Sequence, residues 1–286
     1  MNDPVILKAC LDRLTADYNA RFLDSDPVGL VHHYDVPCDI ETAGFIVAAL
    51  AFGNAEQIQK NAAAALVCAG DSPARFAVEL TPQKALNMFR GFKHRWTTGN
   101  DIAFLFHVLG RIIEEEGSLG SLVQKLDNPG EDTTEGVMAR FSGWICSRYL
   151  DEFRNGSGRK NISYLVPSPA KGSACKRLAL FFRWMVRGPN GVDFGLWKFI
   201  HPARLIVPLD SHIARMAGLL GLCSRRSLDW NMALDITGSL RRLDPDDPVK
   251  YDFALVRPGI TRACTSKSRG DCPLCALRDV CLKRQF

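Results

Sequence analysis

Leu205-Ile206-Val207-Pro208-Leu209-Asp210-Ser211-His212-Ile213-Ala214-Arg215-Met216 is the stretch on which the fold of this chain turns. Its first five residues, apolar and proline-containing, read as an extended approach. Asp210 is placed to cap a helix from Ser211 to Leu220. A carboxylate at that position accepts backbone N–H bonds and faces the positive end of the helix dipole, and both keep it ionised. In isolation such an aspartate is an ordinary cap, so its meaning depends on what surrounds it.

Upstream, Ser173 to Arg187 predicts a strongly amphipathic helix. Leu178, Phe181, Phe182 and Met185 form its apolar stripe, Lys176, Arg177 and Arg183 lie off that stripe, and Gly188-Pro189-Asn190-Gly191 stops it. A second short segment is predicted from Phe194 to Ile200. Lys176 stands 34 residues before Asp210 and admits three readings: a nucleophilic amine, a phosphate contact, or a solvated side chain in a first helical turn. Lys171 and Lys198 are weaker substitutes for it.

Downstream, four of the ten cysteines fall within 18 residues. Seven, two and five residues separate Cys264, Cys272, Cys275 and Cys281. The other six are scattered singly through helical patterns, where cysteine serves as a small buried hydrophobe. The chain shows no secretion signal, so reduced thiols are expected and disulfides are not. Structural zinc usually takes two short knuckles, and only Cys272-Pro273-Leu274-Cys275 is one. One early thiolate, a central pair and one late thiolate are compatible with a [4Fe-4S] cube, with zinc as the alternative.

The same tail carries the charge. Of 286 residues, 36 are Lys or Arg and 31 Asp or Glu, a formal net of +5. From Arg257 to Phe286 there are seven basic residues against two acidic ones, so the tail holds all of that net and the preceding 256 residues sum to zero. A compact basic segment on a neutral body suits a polyanion such as nucleic acid. The composition, 47% hydrophobic and 23% charged, is that of a globular chain and excludes disorder, collagen and coiled coil. No apolar run approaches the roughly 20 residues a bilayer requires, so no membrane is expected and the chain reads as cytoplasmic.

The remaining residues read as almost wholly helical, with apolar spacings of three and four over 5–22, 40–52, 55–69, 101–115 and 134–150. Helices are predicted to open at Thr81-Pro82, at Asn100 or Asp101, and at Asp247-Pro248. Residues 151–170 form the least regular stretch, a long loop or a connection between lobes. Phe89 to Trp96 interleaves charge with rings, either the end of an amphipathic helix or rings that stack on an unpaired base.

Leu209-Asp210-Ser211-His212-Ile213-Ala214-Arg215-Met216, with Leu219, Gly221 and Leu222, resembles the V-D-T-H-V-x-R-x…L-G-L segment of the helix-hairpin-helix DNA glycosylases. Endonuclease III and adenine glycosylase of that superfamily also carry a four-cysteine [4Fe-4S] loop after it. The resemblance is specific over residues 165–286 and weak before. Val192-Asp193-Phe194-Gly195-Leu196-Trp197 and the segment from Asp247 to Ala254 look closest to a bacterial branch of the superfamily.

This resemblance implies an all-α, two-lobed helix-hairpin-helix glycosylase-like body over 1–256 and an iron-sulfur loop over 257–286. The cluster ligands would be Cys264, Cys272, Cys275 and Cys281. It implies a monomer that repairs double-stranded DNA in the cytoplasm, associated with the nucleoid, at a flipped damaged or mispaired base. Asp210 would support chemistry at C1′. Lys176 best matches the lysine of bifunctional members, at a spacing like that of archaeal 8-oxoguanine glycosylases. That chemistry needs an amine free near neutral pH, favoured by burial or neighbouring cations such as Arg177.

Asn54 would be the polar residue entering the DNA, or simply the junction of two helices. Arg215, Arg262, Lys267 and Arg269 would contact DNA, as would His212, which could also orient the Asp210 carboxylate or sit solvated in the first helical turn. The glycine-rich hairpin of endonuclease III is missing, so Pro167 to Gly172 must replace it or DNA binding is altered. The first cluster interval is one residue longer than usual. The alternative of another class is a non-catalytic iron-sulfur protein that recognises distorted DNA.

Overall fold

The computed structural model describes residues 2–18, 20–148, 159–260, 264, 272 and 275–282. The described residues are predominantly helical: α1 (Pro4–Asp17), α2 (Pro37–Ala49), α3 (Ala55–Ala69), α4 (Pro73–Glu79), α5 (Pro82–Met88), α6 (Gly99–Glu116), α7 (Leu119–Leu126), α8 (Glu135–Ser147), α9 (Arg159–Leu165), α10 (Lys176–Val186), α11 (Ser211–Leu220), α12 (Trp230–Arg241) and α13 (Asp252–Ile260). A short antiparallel hairpin, β1 (Lys93–His94) and β2 (Thr97–Thr98), pairs Lys93 with Thr98 and His94 with Thr97. Among the described residues no helix is long and apolar enough to cross a membrane.

The core is organised around α2. Every residue from Asp39 to Ala49 is buried, the signature of a helix wrapped on all sides by others. Phe45 meets Phe141 of α8 and Phe181 of α10 edge-on, at 5.9 and 5.2 Å between ring centres, the geometry that aligns the positive edge of one ring with the negative face of another. Gly44 faces α10, where an added Cβ would stand 2.8 Å from the terminal methyl of Met185. Glu41, also on α2, accepts hydrogen bonds from the Gly120 N–H at 3.1 Å and from Trp197 Nε1 at 2.7 Å. It ties α7 and the non-helical segment after α10 to the central helix.

Local chemistry explains several boundaries. The expected opening at Thr81-Pro82 is present, with Thr81 Oγ1 accepting the Lys84 N–H. Helix α6 opens at Gly99, and Asp101 is its third residue, reaching back to accept the Thr98 N–H at 2.7 Å. Asp247-Pro248 opens a turn, and the helix begins only at Asp252. The stretch from Phe194 to Ile200 is not helical: its N–H groups at Phe194 and Trp197 donate to Trp184 and Met185 carbonyls at the end of α10. A short 3-10 turn, Pro169–Lys171, lies between α9 and α10 and ends on Gly172 in the left-handed region (φ 73°). Cys175 is left-handed too (φ 49°), and its N–H donates to Ser173 Oγ. Helix α10 therefore begins at Lys176, three residues later than its apolar pattern predicts.

Candidate active site

The extended segment that ends at Leu209 delivers Asp210 as the cap of α11. Its Oδ1 accepts the His212 and Ile213 N–H groups, both at 2.9 Å. Its other oxygen, Oδ2, lies 3.0 Å from Lys176 Nζ at the first turn of α10. The lysine side chain is 32% exposed and that of the aspartate 18%, so the pair is sheltered yet open to solution. Burial alone would raise the Asp210 carboxyl, but the Lys176 ammonium and the Ile213 N–H outweigh it and hold the group below the usual carboxylate value. Two residues 34 positions apart thus meet where the beginnings of two helices converge.

Lys176 is the outer end of a basic seam. Arg183, seven residues on, shares its face of α10, although the sequence placed it merely off the apolar stripe, and Arg187 follows directly after the helix. Arg183 is buried, holding Asp193 Oδ1 at 3.0 Å and pairing with Asp252 at the start of α13. Arg187 pairs with Asp193 and, at 2.8 Å, with Asp247. The second oxygen of Asp252, Oδ1, is buried with no hydrogen-bond partner. Burial pushes the Asp252 carboxyl up to about 6; Arg183 and Lys176 pull against that, and the Asp210 charge adds to it. The inner network and the outer pair are therefore electrostatically joined.

His212 and Arg215, on α11, lie against Gly259 of α13, where an added Cβ would overlap His212 Nδ1. Arg215 Nη1 donates to the sulfur of Cys264 at 3.2 Å, and its Nη2 is buried without a partner. The described atoms of Arg215 thus face the cysteine tail. Burial pushes the Cys275 thiol up, the Leu277 N–H pulls it down, and the charges of Cys264, Cys272 and Cys281 add to the rise. All ten cysteines are free of disulfides. A soft, all-thiolate donor set with an arginine donating to one sulfur suits an anionic iron-sulfur group. Among the described residues, no three His, Cys, Asp or Glu side chains stand close enough to hold a metal ion. Arg262, Lys267 and Arg269 lie outside the described residues.

A second cluster flanks Lys176 through its neighbour Arg177. The Arg177 guanidinium lies 4.1 Å from the centre of the Tyr164 ring and 5.0 Å from that of Phe52, and it donates to the Tyr164 carbonyl. Burial pulls Arg177 down to about 10. Of Phe89 to Trp96 only Phe89 belongs to a helix end, as the cap of α5 whose N–H donates to the Ala85 carbonyl; a turn and the hairpin follow, presenting Trp96 at its turn. Asn54 is exposed and caps α3, accepting the Glu56 and Gln57 N–H groups at 3.0 and 3.4 Å.

These features define a predominantly helical protein in which the pair of Lys176 with the capping aspartate Asp210 lies near an aromatic cluster and a cysteine-rich tail. A family model described as "Protein of unknown function (DUF2400)" matches residues 26–261, and the chain belongs to that family. No curated protein matches it. No solved structure matches it either. Sequence reasoning missed Asp252 and the buried role of Arg183 and Arg177. The available signal was a charged residue recurring within otherwise apolar helical turns.

Proposed function

We propose that this chain is a DNA repair glycosylase with lyase chemistry, acting on a damaged or mispaired base extruded from double-stranded DNA, on a helix-hairpin-helix type of body. The observation that carries this is the 3.0 Å approach of Lys176 Nζ to Asp210 Oδ2. It sets an amine beside an ionised carboxylate at a partly open surface. Extrusion of the nucleotide costs a few kcal/mol, least for a damaged or mispaired base. Asp210 then opposes the positive charge that grows on the sugar as the C1′–N bond breaks and the base leaves with the electron pair. Lys176 Nζ, once its ammonium has given up a proton to water, forms the new bond to C1′ as the free amine. Its proton passes to the departing base, and opening of the sugar ring leaves a Schiff base from which the strand can be cleaved by elimination.

Cys264, Cys272, Cys275 and Cys281 would hold a [4Fe-4S] cluster, which supplies a rigid anionic brace when bound. Arg215 ties the Cys264 sulfur to the helix that Asp210 caps, so the brace bears on the reacting carboxylate. The basic tail around it supplies phosphate contacts, and DNA binding should weaken steeply with salt. The protein would act as a monomer on nucleoid DNA in the cytoplasm.

The test is a panel of duplexes, each with one damaged or mispaired base. The unmutated protein is expected to release a base from at least one member. Asp210→Asn should lose that by about a hundredfold or more with DNA affinity kept, and Lys176→Ala should lose strand cleavage. Salt-dependent binding without turnover on any duplex would replace this reading by a non-catalytic binder of distorted DNA. Material purified without oxygen should be brown and contain iron. Colourless protein carrying zinc would remove the cluster from the account.

A further inference from the structure

The hairpin turn His94-Arg95-Trp96-Thr97 projects a ring that the core does not absorb. Trp96 is 47% exposed. Its inner face stacks on Phe52 at 5.3 Å and 24°, and Tyr164, itself 39% exposed, meets it edge-on at 5.0 Å. Phe52 and Tyr164 meet edge-on as well, at 5.7 Å. The foundation of this cluster is firm. His94 is buried, with one ring nitrogen 3.0 Å from the Phe52 carbonyl and the other 2.8 Å from Asn61 Nδ2.

Cations frame the rings. The Arg95 guanidinium lies 4.9 Å from the centre of the Trp96 ring, with its side chain against Gly53. Arg177 sits over both Phe52 and Tyr164. It is more than nine-tenths buried, and its Nη1 has no hydrogen-bond partner. An unsatisfied buried donor among the rings that support a half-open indole is an arrangement that costs stability. The residue before Arg177, at the start of α10, is Lys176.

We infer that Trp96, backed by Phe52 and Tyr164, is a stacking platform for a single unpaired nucleobase of DNA, with Arg95 and Arg177 as its cationic frame. The chemistry selects this occupant. A flat heteroaromatic ring presents a π-face to the indole, carbonyl oxygens to guanidinium donors, and a phosphate on the same nucleotide to the exposed Arg95. An aliphatic side chain would use the ring area and leave both cations without a role. This inference rests on the DNA reading above and names the part of that surface which grips the base.

Full-length protein should be titrated with two fluorescent duplexes of equal length, one fully paired and one with a single bulged 2-aminopurine. The unmutated protein is expected to prefer the bulged duplex and to quench the 2-aminopurine on binding. Trp96→Ala should lose that preference by about tenfold or more, with affinity for the paired duplex and its salt dependence retained. Trp96→Phe, which keeps a ring and the fold, should retain most of it. Absence of salt-dependent binding to either duplex overturns both the DNA reading and this inference. Binding in which Trp96→Ala keeps the same preference and quenching overturns this inference alone. A concentration-dependent dimer that Trp96→Ala separates would also overturn it, by showing a second copy on the platform.

Discussion

The two ends of the basic seam on α10 use the same ion-pair chemistry for different purposes. At the inner end Arg183 is almost wholly excluded from water and divides its donors between Asp193 and Asp252. At the outer end Lys176 meets one oxygen of one carboxylate and keeps a third of its surface in solvent. A dry guanidinium held by two carboxylates has one arrangement and nowhere else to go. An ammonium on a single partner at the surface is held weakly and can leave when another group offers itself. Immobility inside therefore supports exchange outside. Arg183 fixes the helix, and the helix presents Lys176.

The sharpest way to break this contrast is to remove the inner cation. Arg183→Met would leave Asp193 and Asp252 buried without their shared partner and is expected to cost about 3–5 kcal/mol, measured as a shift in the urea midpoint. A cost as small as that of a surface substitution would mean that the network is not the structural anchor.

Titration sharpens the comparison next, because the two carboxylates behave oppositely. Asp252 is raised from 3.8 to about 6. The folded chain therefore holds more protons there than the unfolded chain between those values, and this group's contribution to stability falls as pH rises across that window. Asp210 is lowered, so its contribution is present above the ordinary aspartate value and is lost as pH falls through the depressed one. Asp252→Asn should remove the decline between pH 4 and 6, a change of at most about 3 kcal/mol, read from chemical denaturation at a series of pH values. An unchanged slope would place the titrating group elsewhere.

Smaller effects are expected toward the surface. Gly259→Ala would press a methyl group into His212 at the α11–α13 contact and should cost about 1–3 kcal/mol, measured as a fall in Tm. Lys176→Ala removes one partly exposed ion pair and should cost less than about 1 kcal/mol. A loss in stability matching that of Arg183→Met would make Lys176 a second structural anchor.

What the sequence reveals about these regions divides by range. The capping of α11 by Asp210 was legible, because a cap and the N–H groups it satisfies are two and three residues apart. The helical character of most segments followed from apolar spacing for the same reason. Helix α10 was expected from Ser173 and begins at Lys176, since Ser173 Oγ takes the Cys175 N–H and the chain turns left-handed there. Periodicity cannot register that local competition. The hairpin at Trp96 was hidden because each strand has only two residues, too few for alternation to show. Arg183, Asp193 and Asp252 come from three segments, and their pairing is a property of packing that no single stretch contains. Lys176 and Asp210 were each visible as candidates, while their approach to 3.0 Å depends on how α10 and α11 sit on α2 and α13.

The most direct test of the central claim is borohydride trapping with damaged duplexes, followed by mass mapping of the adduct. A Schiff base formed by the outer amine should be reduced to a stable protein–DNA conjugate on the peptide containing Lys176, and Lys176→Ala should give none. A conjugate that persists in Lys176→Ala, or that maps to another lysine, would contradict the assignment of the outer end of this seam as the reacting group.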